Sequence, residues 1–150
     1  MWPFKKKHPE IPAEGVPESW SVFRGQSAGK PLFARANLAL KAFMGHPRYA
    51  HQVEIVIQFR SPDDNGFPQS EESAQLMDLE DKIVPAMEND HEAILAAVIT
   101  TNGFRRFIFY TSNPESVQSK LTSLQLQFAG HTIEGTITED RNWSAFQPFV

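Results

Sequence analysis

Two residues, Asn102 and Gly103, separate an apolar run at 93–101 from an aromatic-rich run at 104–111. Both accept positive φ angles, which a type I′ turn requires at its two central positions, and the twist of that turn matches the twist of paired antiparallel strands. A tight hairpin is therefore expected here, with a first strand that is apolar on both faces. Few alternatives remain for this part of the chain, and the flanking segments have to be read around it.

Ahead of the hairpin, residues 52–60 alternate Val53, Ile55, Ile57 and Phe59 with Gln52, Glu54, Gln58 and Arg60, the pattern of a half-buried strand with one face on a helical layer. A loop dense in Pro, Asp, Asn and Gly follows at 61–68. Ser70 then stands where an N-cap belongs, and Glu71 and Glu72 suit the positive end of a helix dipole. Leu76, Leu79 and Ile83 make that helix's apolar stripe. Pro85 removes the amide that would bond to the Asp81 carbonyl, so the helix is expected to end or kink there. After the hairpin, Asn113-Pro114-Glu115 supplies a cap, a first-position proline and an early acid. Val117, Leu121, Leu124 and Phe128 recur at helical spacing up to Gly130, and 132–138 alternates Ile133, Gly135 and Ile137 with Thr and Glu as a last strand.

The order from residue 51 is strand, helix, strand, strand, helix, strand. It predicts an α+β fold, a ferredoxin-like βαββαβ sandwich with an antiparallel sheet and two helices on one face. Upstream, Trp20 and Val22 alternate with polar neighbours, and Leu32, Ala34, Ala36, Leu38 and Leu40 recur every second residue. They predict an N-terminal β-hairpin that either extends the sheet or crosses the face the helices leave open. Pro3, Pro9, Pro12 and Pro17 make residues 1–17 a flexible Pro/Lys-rich arm before a single domain at 18–150.

Composition narrows the function classes. The chain has no cysteine, so disulfides, thiolate nucleophiles and Cys-ligated metal sites are excluded. A net charge of -4 argues against generic polyanion binding. No 18-residue apolar run and no leader-type apolar segment occurs, which predicts a cytosolic protein. Trp2 and Phe4 beside Lys5, Lys6 and Lys7 offer at most a weak membrane contact.

No catalytic set emerges. Gly25 to Lys30 imitates a phosphate loop, but its glycines are too close, Pro31 replaces the magnesium-binding hydroxyl, and a strand follows. The five histidines lack metal-binding spacing, and no metal or cofactor is expected. Asp63, Asp64 and Glu71 with a histidine define the weakest alternative, a metal-dependent hydrolase, although Asp63 and Asp64 suit a turn better. A second alternative is single-stranded RNA binding, with Phe107, Phe109 and Tyr110 stacking on bases and Arg105 and Arg106 on phosphates. Against it, Phe107 and Phe109 share one face and fit the core beneath the helices, leaving Ile108 and Tyr110 outward.

An ordered set of residues carries a family resemblance: Trp20, Arg35-Ala36-Asn37, Asp64-Asn65-Gly66-Phe67-Pro68, Glu72, Leu76, Glu80-Asp81, Thr100 to Arg105, Phe109-Tyr110-Thr111, Asp140 and Trp143. With these the chain resembles the bacterial domain of unknown function family number 695, over about residues 19–146. Phe146 stands where that pattern leads one to expect Tyr. The resemblance brings no established activity. The predicted topology is also similar to that of protein inhibitors of ribonuclease E, an analogy of fold that implies regulation by docking.

Together these features predict a non-catalytic interaction or ligand-binding domain. Its partner is expected to be a protein or a small anionic ligand, met by a sheet face carrying Arg35, Asn37, Arg105, Tyr110 and Trp143. Arg35 also has a structural reading, an ion pair with Glu80 or Asp81.

Overall fold

The nine residues of strand β4 (Ala93–Thr101) are buried throughout, so the strand needs cover on both sides and neighbours on both edges. The computed structural model, which describes residues 8–150, supplies them. Strands β1 (Trp20–Ser27), β2 (Lys30–Asn37), β3 (His51–Gln58), β5 (Phe104–Thr111) and β6 (Thr132–Glu139) join β4 in one sheet of order β1-β2-β4-β5-β3-β6. Every neighbouring pair is antiparallel. The β4–β5 turn takes φ values of 51° at Asn102 and 88° at Gly103, as the Asn-Gly pair demands. The N-terminal hairpin extends the sheet, β2 running beside β4 from Leu32↔Thr101 to Ala36↔Ala97.

Helices α1 (Ser70–Glu88) and α2 (Pro114–Gln127) share a single apolar core with one face of the sheet. Leu76, Leu79, Ile83 and Met87 from α1 and Val117, Leu121 and Leu124 from α2 meet Val53, Ile55, Ile57, Phe107 and Phe109 there. Asn113 caps α2, its Oδ1 accepting from the Ser116 amide at 3.1 Å. The result is an α+β fold whose sheet has six strands.

Three local expectations need correction. Helix α1 runs through Pro85 to Glu88; the lost bond frees only the Asp81 carbonyl, whereas stopping there would forfeit the burial of Met87. Ser70 is the first helical residue, Gln69 in the cap position makes no side-chain bond, and the buried Glu72 carboxylate reaches back instead to the amides of Arg60 (2.7 Å) and Ser61 (3.4 Å). Strand β2 stops at Asn37 rather than continuing to Leu40, because Leu38–Phe43 forms a 3-10 helix. The Asn37 side chain brings this about: it accepts from the amides of Ala39 (3.2 Å) and Ser19 (2.8 Å) and donates to the Pro17 carbonyl (2.9 Å).

The sheet's second face is covered as well. Leu40, Phe43, Tyr49, Trp143 and Phe146, from residues 38–50 and the C-terminal segment, pack on Ala34, Ala36, Ile94, Ile108 and Tyr110. Ile108 and Tyr110 are thus buried rather than outward. Part of the N-terminal arm joins this layer. His8 Nε2 lies 2.9 Å from the Met44 carbonyl, and Ile11 and Val16 pack on the same cluster. The membrane contact expected of Trp2, Phe4 and Lys5 to Lys7 falls outside the described residues.

Asp140 fastens the C-terminal segment to the sheet. Its carboxylate accepts from Tyr110 Oη (2.7 Å), Ser144 N (2.8 Å), Ser144 Oγ (2.7 Å) and Ala145 N (3.2 Å). Burial pushes the Asp140 carboxyl up, but these hydrogen bonds outweigh it and hold the group below its ordinary value. A carboxyl with a depressed folded-state pKa contributes stability that is fully present above its unfolded pKa and lost as the pH falls through the folded one. Calorimetry is therefore expected to show the wild-type unfolding temperature dropping between about pH 5 and pH 3. Asp140→Asn should be less stable at neutral pH by about 1–3 kcal/mol. The gap between variant and wild type should narrow across that interval, and a gap independent of pH would contradict this role.

Candidate functional site

Three turns meet at one end of the sheet. In the loop between β3 and α1, Asp63 Oδ1 accepts from the amides of Asn65 and Phe67, both at 2.9 Å, and so shapes the turn. Gly66, with φ at 82°, lays its backbone on the β4–β5 turn, and its carbonyl accepts from the Gly103 amide at 2.9 Å. The β1–β2 turn is tied in by Lys30 Nζ donating to the Asp64 carbonyl (2.8 Å) and Asn102 Nδ2 donating to the Ser27 carbonyl (3.1 Å). Two sequence stretches far apart in the chain, 64–68 and 100–105, are thereby brought into contact.

Their junction forms a cavity of about 280 Å³ lined by Phe33, Phe67, Pro68, Ser73, Thr100 and Arg105. Arg105, half-buried on β5, donates from Nε to Thr100 Oγ1 at 3.0 Å, which fixes the plane of its guanidinium. Burial lowers its pKa, Glu80 raises it and Arg35 lowers it; an arginine remains charged under such influences. Among the described residues no carboxylate lies within 4.0 Å of it. A half-buried cation without an ion-pair partner, its fork free on one side and facing apolar walls, is suited to a carboxylate or phosphate.

Arg35 and Asn37 share the helix-side face with Arg105 but not its freedom. Arg35 is ion-paired with Glu80 and lies over the Trp20 ring, 5.4 Å from its centroid. Asn37 is consumed by the three backbone bonds described above. Both line a second cavity of about 360 Å³ with Glu18, Trp20, Glu80, Asp81 and Glu88. Four carboxylates against one arginine would repel an anion, so the anionic site expected around Arg35, Asn37 and Arg105 contracts to the Arg105 end. Glu88 accepts from the Leu95 amide at 3.1 Å, at the bulge in β4. Burial raises its pKa, partly offset by that hydrogen bond.

Tyr110 and Trp143 are on the opposite face. Neither has any exposed surface, and their rings stack with centroids 4.0 Å apart. They are core, and the five expected residues do not form one surface. Phe107 and Phe109 are likewise fully buried, and Arg106 is paired with Glu54 at 2.9 Å. Phe107, Phe109 and Tyr110, the rings expected to meet bases, are therefore closed to stacking. Asp63 and Asp64 serve the turn, and among the described residues no three of His, Cys, Asp or Glu converge in a metal-holding arrangement. No helix among the described residues is long and apolar enough to cross a membrane.

Sequence reasoning overlooked the cavity's apolar walls, Phe33, Phe67 and Pro68, and the polar Ser73. Both 64–68 and 100–105 belong to the ordered set that carries the family resemblance, but that set also holds residues from other parts of the fold, such as Trp143, and so did not mark the contact.

No curated protein and no solved structure matches the chain. A family model does match, over residues 18–150, and its description is a family of unknown function, DUF695. The match spans both stretches that build the Arg105 cavity, and the chain belongs to the DUF695 family of unknown function.

Proposed function

We propose that the protein is a non-catalytic binding domain whose anchor is Arg105, and that it takes a ligand or partner through a carboxylate or phosphate group. The observation that carries this reading is the Arg105 guanidinium itself, oriented by Thr100, lacking a carboxylate partner among the described residues and set in the wall of an open cavity. Phe33, Phe67 and Pro68 would contact the apolar body that bears the anionic group. We further propose that β3 to β6 with α1 and α2 are a ferredoxin-like unit. The contiguity of those four strands in the sheet and the placement of both helices on one face support this.

Titration with benzoate and phenyl phosphate tests the reading. A charge-assisted bond is worth about 1.5–3 kcal/mol, so Arg105→Gln should weaken binding roughly 10- to 100-fold. Arg105→Lys keeps the charge but not the fork and should fall between the two. Equal affinities for wild type and Arg105→Gln would refute the assignment.

A further inference from the structure

The two cavities on the helix side are not independent. Ser73 lines the first, and Glu80, Asp81, Val84, Pro85 and Glu88 line the second. In α1 these positions are spaced as one stripe, and Met77, a turn from Ser73 and from Glu80 and Asp81, falls on it between the two. Across from this stripe runs the β1–β2 hairpin. Phe33 lines the first cavity and Arg35 the second. Val22 pairs with Arg35 in register and so shares its face. The Arg35–Glu80 ion pair bridges hairpin and helix within the second cavity.

Taken as the two ends of one groove along α1, the cavities are unlike. Arg105 lies at one end. At the other end Glu18, Asp81 and Glu88 surround a cavity whose single arginine is already paired. Along the length between them are three of the chain's exposed large apolar side chains, Val22 (60% exposed), Phe33 (37%) and Met77 (64%). Exposed apolar surface rimmed by charge marks an interaction site rather than solvent-adapted surface.

We infer that the groove holds an extended peptide segment of a partner protein, with an acidic residue over Arg105, a basic residue in the Glu18, Asp81 and Glu88 cavity, and apolar side chains between. This rests on the reading of Arg105 as an anion anchor and adds the second charge, the polarity and the length. From Ser73 to Pro85 the helix advances roughly 18 Å at about 1.5 Å per residue. An extended chain covers that in five to six residues at about 3.3 Å each. Acid and base should therefore be about five residues apart in the partner.

Four pools of end-blocked hexapeptides test this by calorimetric titration of the full chain. Two are bipolar, Asp first and Lys last or the reverse, and two are acid-only with Gln in place of Lys; the four central positions are drawn from Leu, Phe, Val, Ser and Thr. One bipolar pool should bind at least tenfold tighter than its acid-only counterpart. The advantage should disappear in the double variant Asp81→Asn, Glu88→Gln, and Arg105→Gln should weaken both pools. If bipolar and acid-only pools bind alike, or the double variant keeps the advantage, the groove is overturned while benzoate binding still supports Arg105 as an anchor. If benzoate and every pool fail to bind, the anchor itself is overturned.

Discussion

Replacing Trp143 by alanine is expected to cost about 3–5 kcal/mol, the range for deleting a large buried aromatic side chain. For a chain of this length that lowers the unfolding temperature by roughly 10 °C, at about 2–4 °C per kcal/mol. Trp143 is fully buried, stacks on Tyr110 with an interplanar angle of 3°, meets Phe146 edge-on at 5.9 Å, and donates from Nε1 to the Tyr49 carbonyl at 2.9 Å. It is the keystone of the second layer, tying residues 140–150 to both the sheet and residues 38–50. Trp143→Phe retains much of the apolar contact but leaves the Tyr49 carbonyl unpaired, and should cost about 1–3 kcal/mol. Hydrogen exchange should show amides of the C-terminal segment losing protection first. A Trp143→Ala protein melting within a degree or two of wild type would show that this layer does not support the sheet.

Gly66→Ala is expected to be nearly as damaging, for a different reason. An added Cβ would come within 2.9 Å of the Asn102 amide nitrogen, 3.0 Å of Asn102 Cα and 3.0 Å of the Gly103 amide nitrogen. All three are backbone atoms of a tight turn and cannot rotate aside. The φ of 82° adds the strain of a left-handed conformation, about 1–2 kcal/mol, to an overpacking cost of about 1–3 kcal/mol. Gly29→Ala isolates the conformational part, since Gly29 has a similar φ of 79° and nothing within 4 Å of its added Cβ. The two variants should differ in denaturant midpoint by the overpacking cost alone, and equal midpoints would contradict the close docking of the two turns. Because the same contact builds the Arg105 cavity, Gly66→Ala should also weaken benzoate binding.

Much of the fold was legible because periodicity and turn chemistry agreed. The Asn102-Gly103 turn, the apolar β4, the Asn113 cap and the alternation of β3 each carry a local signal that tertiary contacts reinforce. The signal failed where one side chain acted against the local pattern. Leu38 and Leu40 continue a strand-like alternation, but the Asn37 amide diverts the backbone into a 3-10 turn. Pro85 breaks one hydrogen bond but not the helix, because Ile83 and Met87 on either side are buried in the core.

The site was legible only in part, since alternation states which residues share a strand face but not what covers that face. For Arg35 an ion pair with Glu80 or Asp81 was the structural reading, and the structure makes the one with Glu80. Tyr110 belongs to the strand of Arg105 but to its other side, and nothing before coordinates revealed that 38–50 and 140–150 would bury it. The apolar walls of the Arg105 cavity come from β2 and the loop before α1, brought to β5 by turn-to-turn contacts that have no sequence period.

Arg105 as a free, oriented cation is the claim on which the binding account depends, and side-chain NMR reads it directly. Benzoate titrated into the protein with nitrogen-15 arginine should move the Arg105 Nε–H resonance progressively to saturation and leave that of Arg35, held by Glu80, nearly unchanged. An Arg105 resonance that stays fixed throughout would contradict the account.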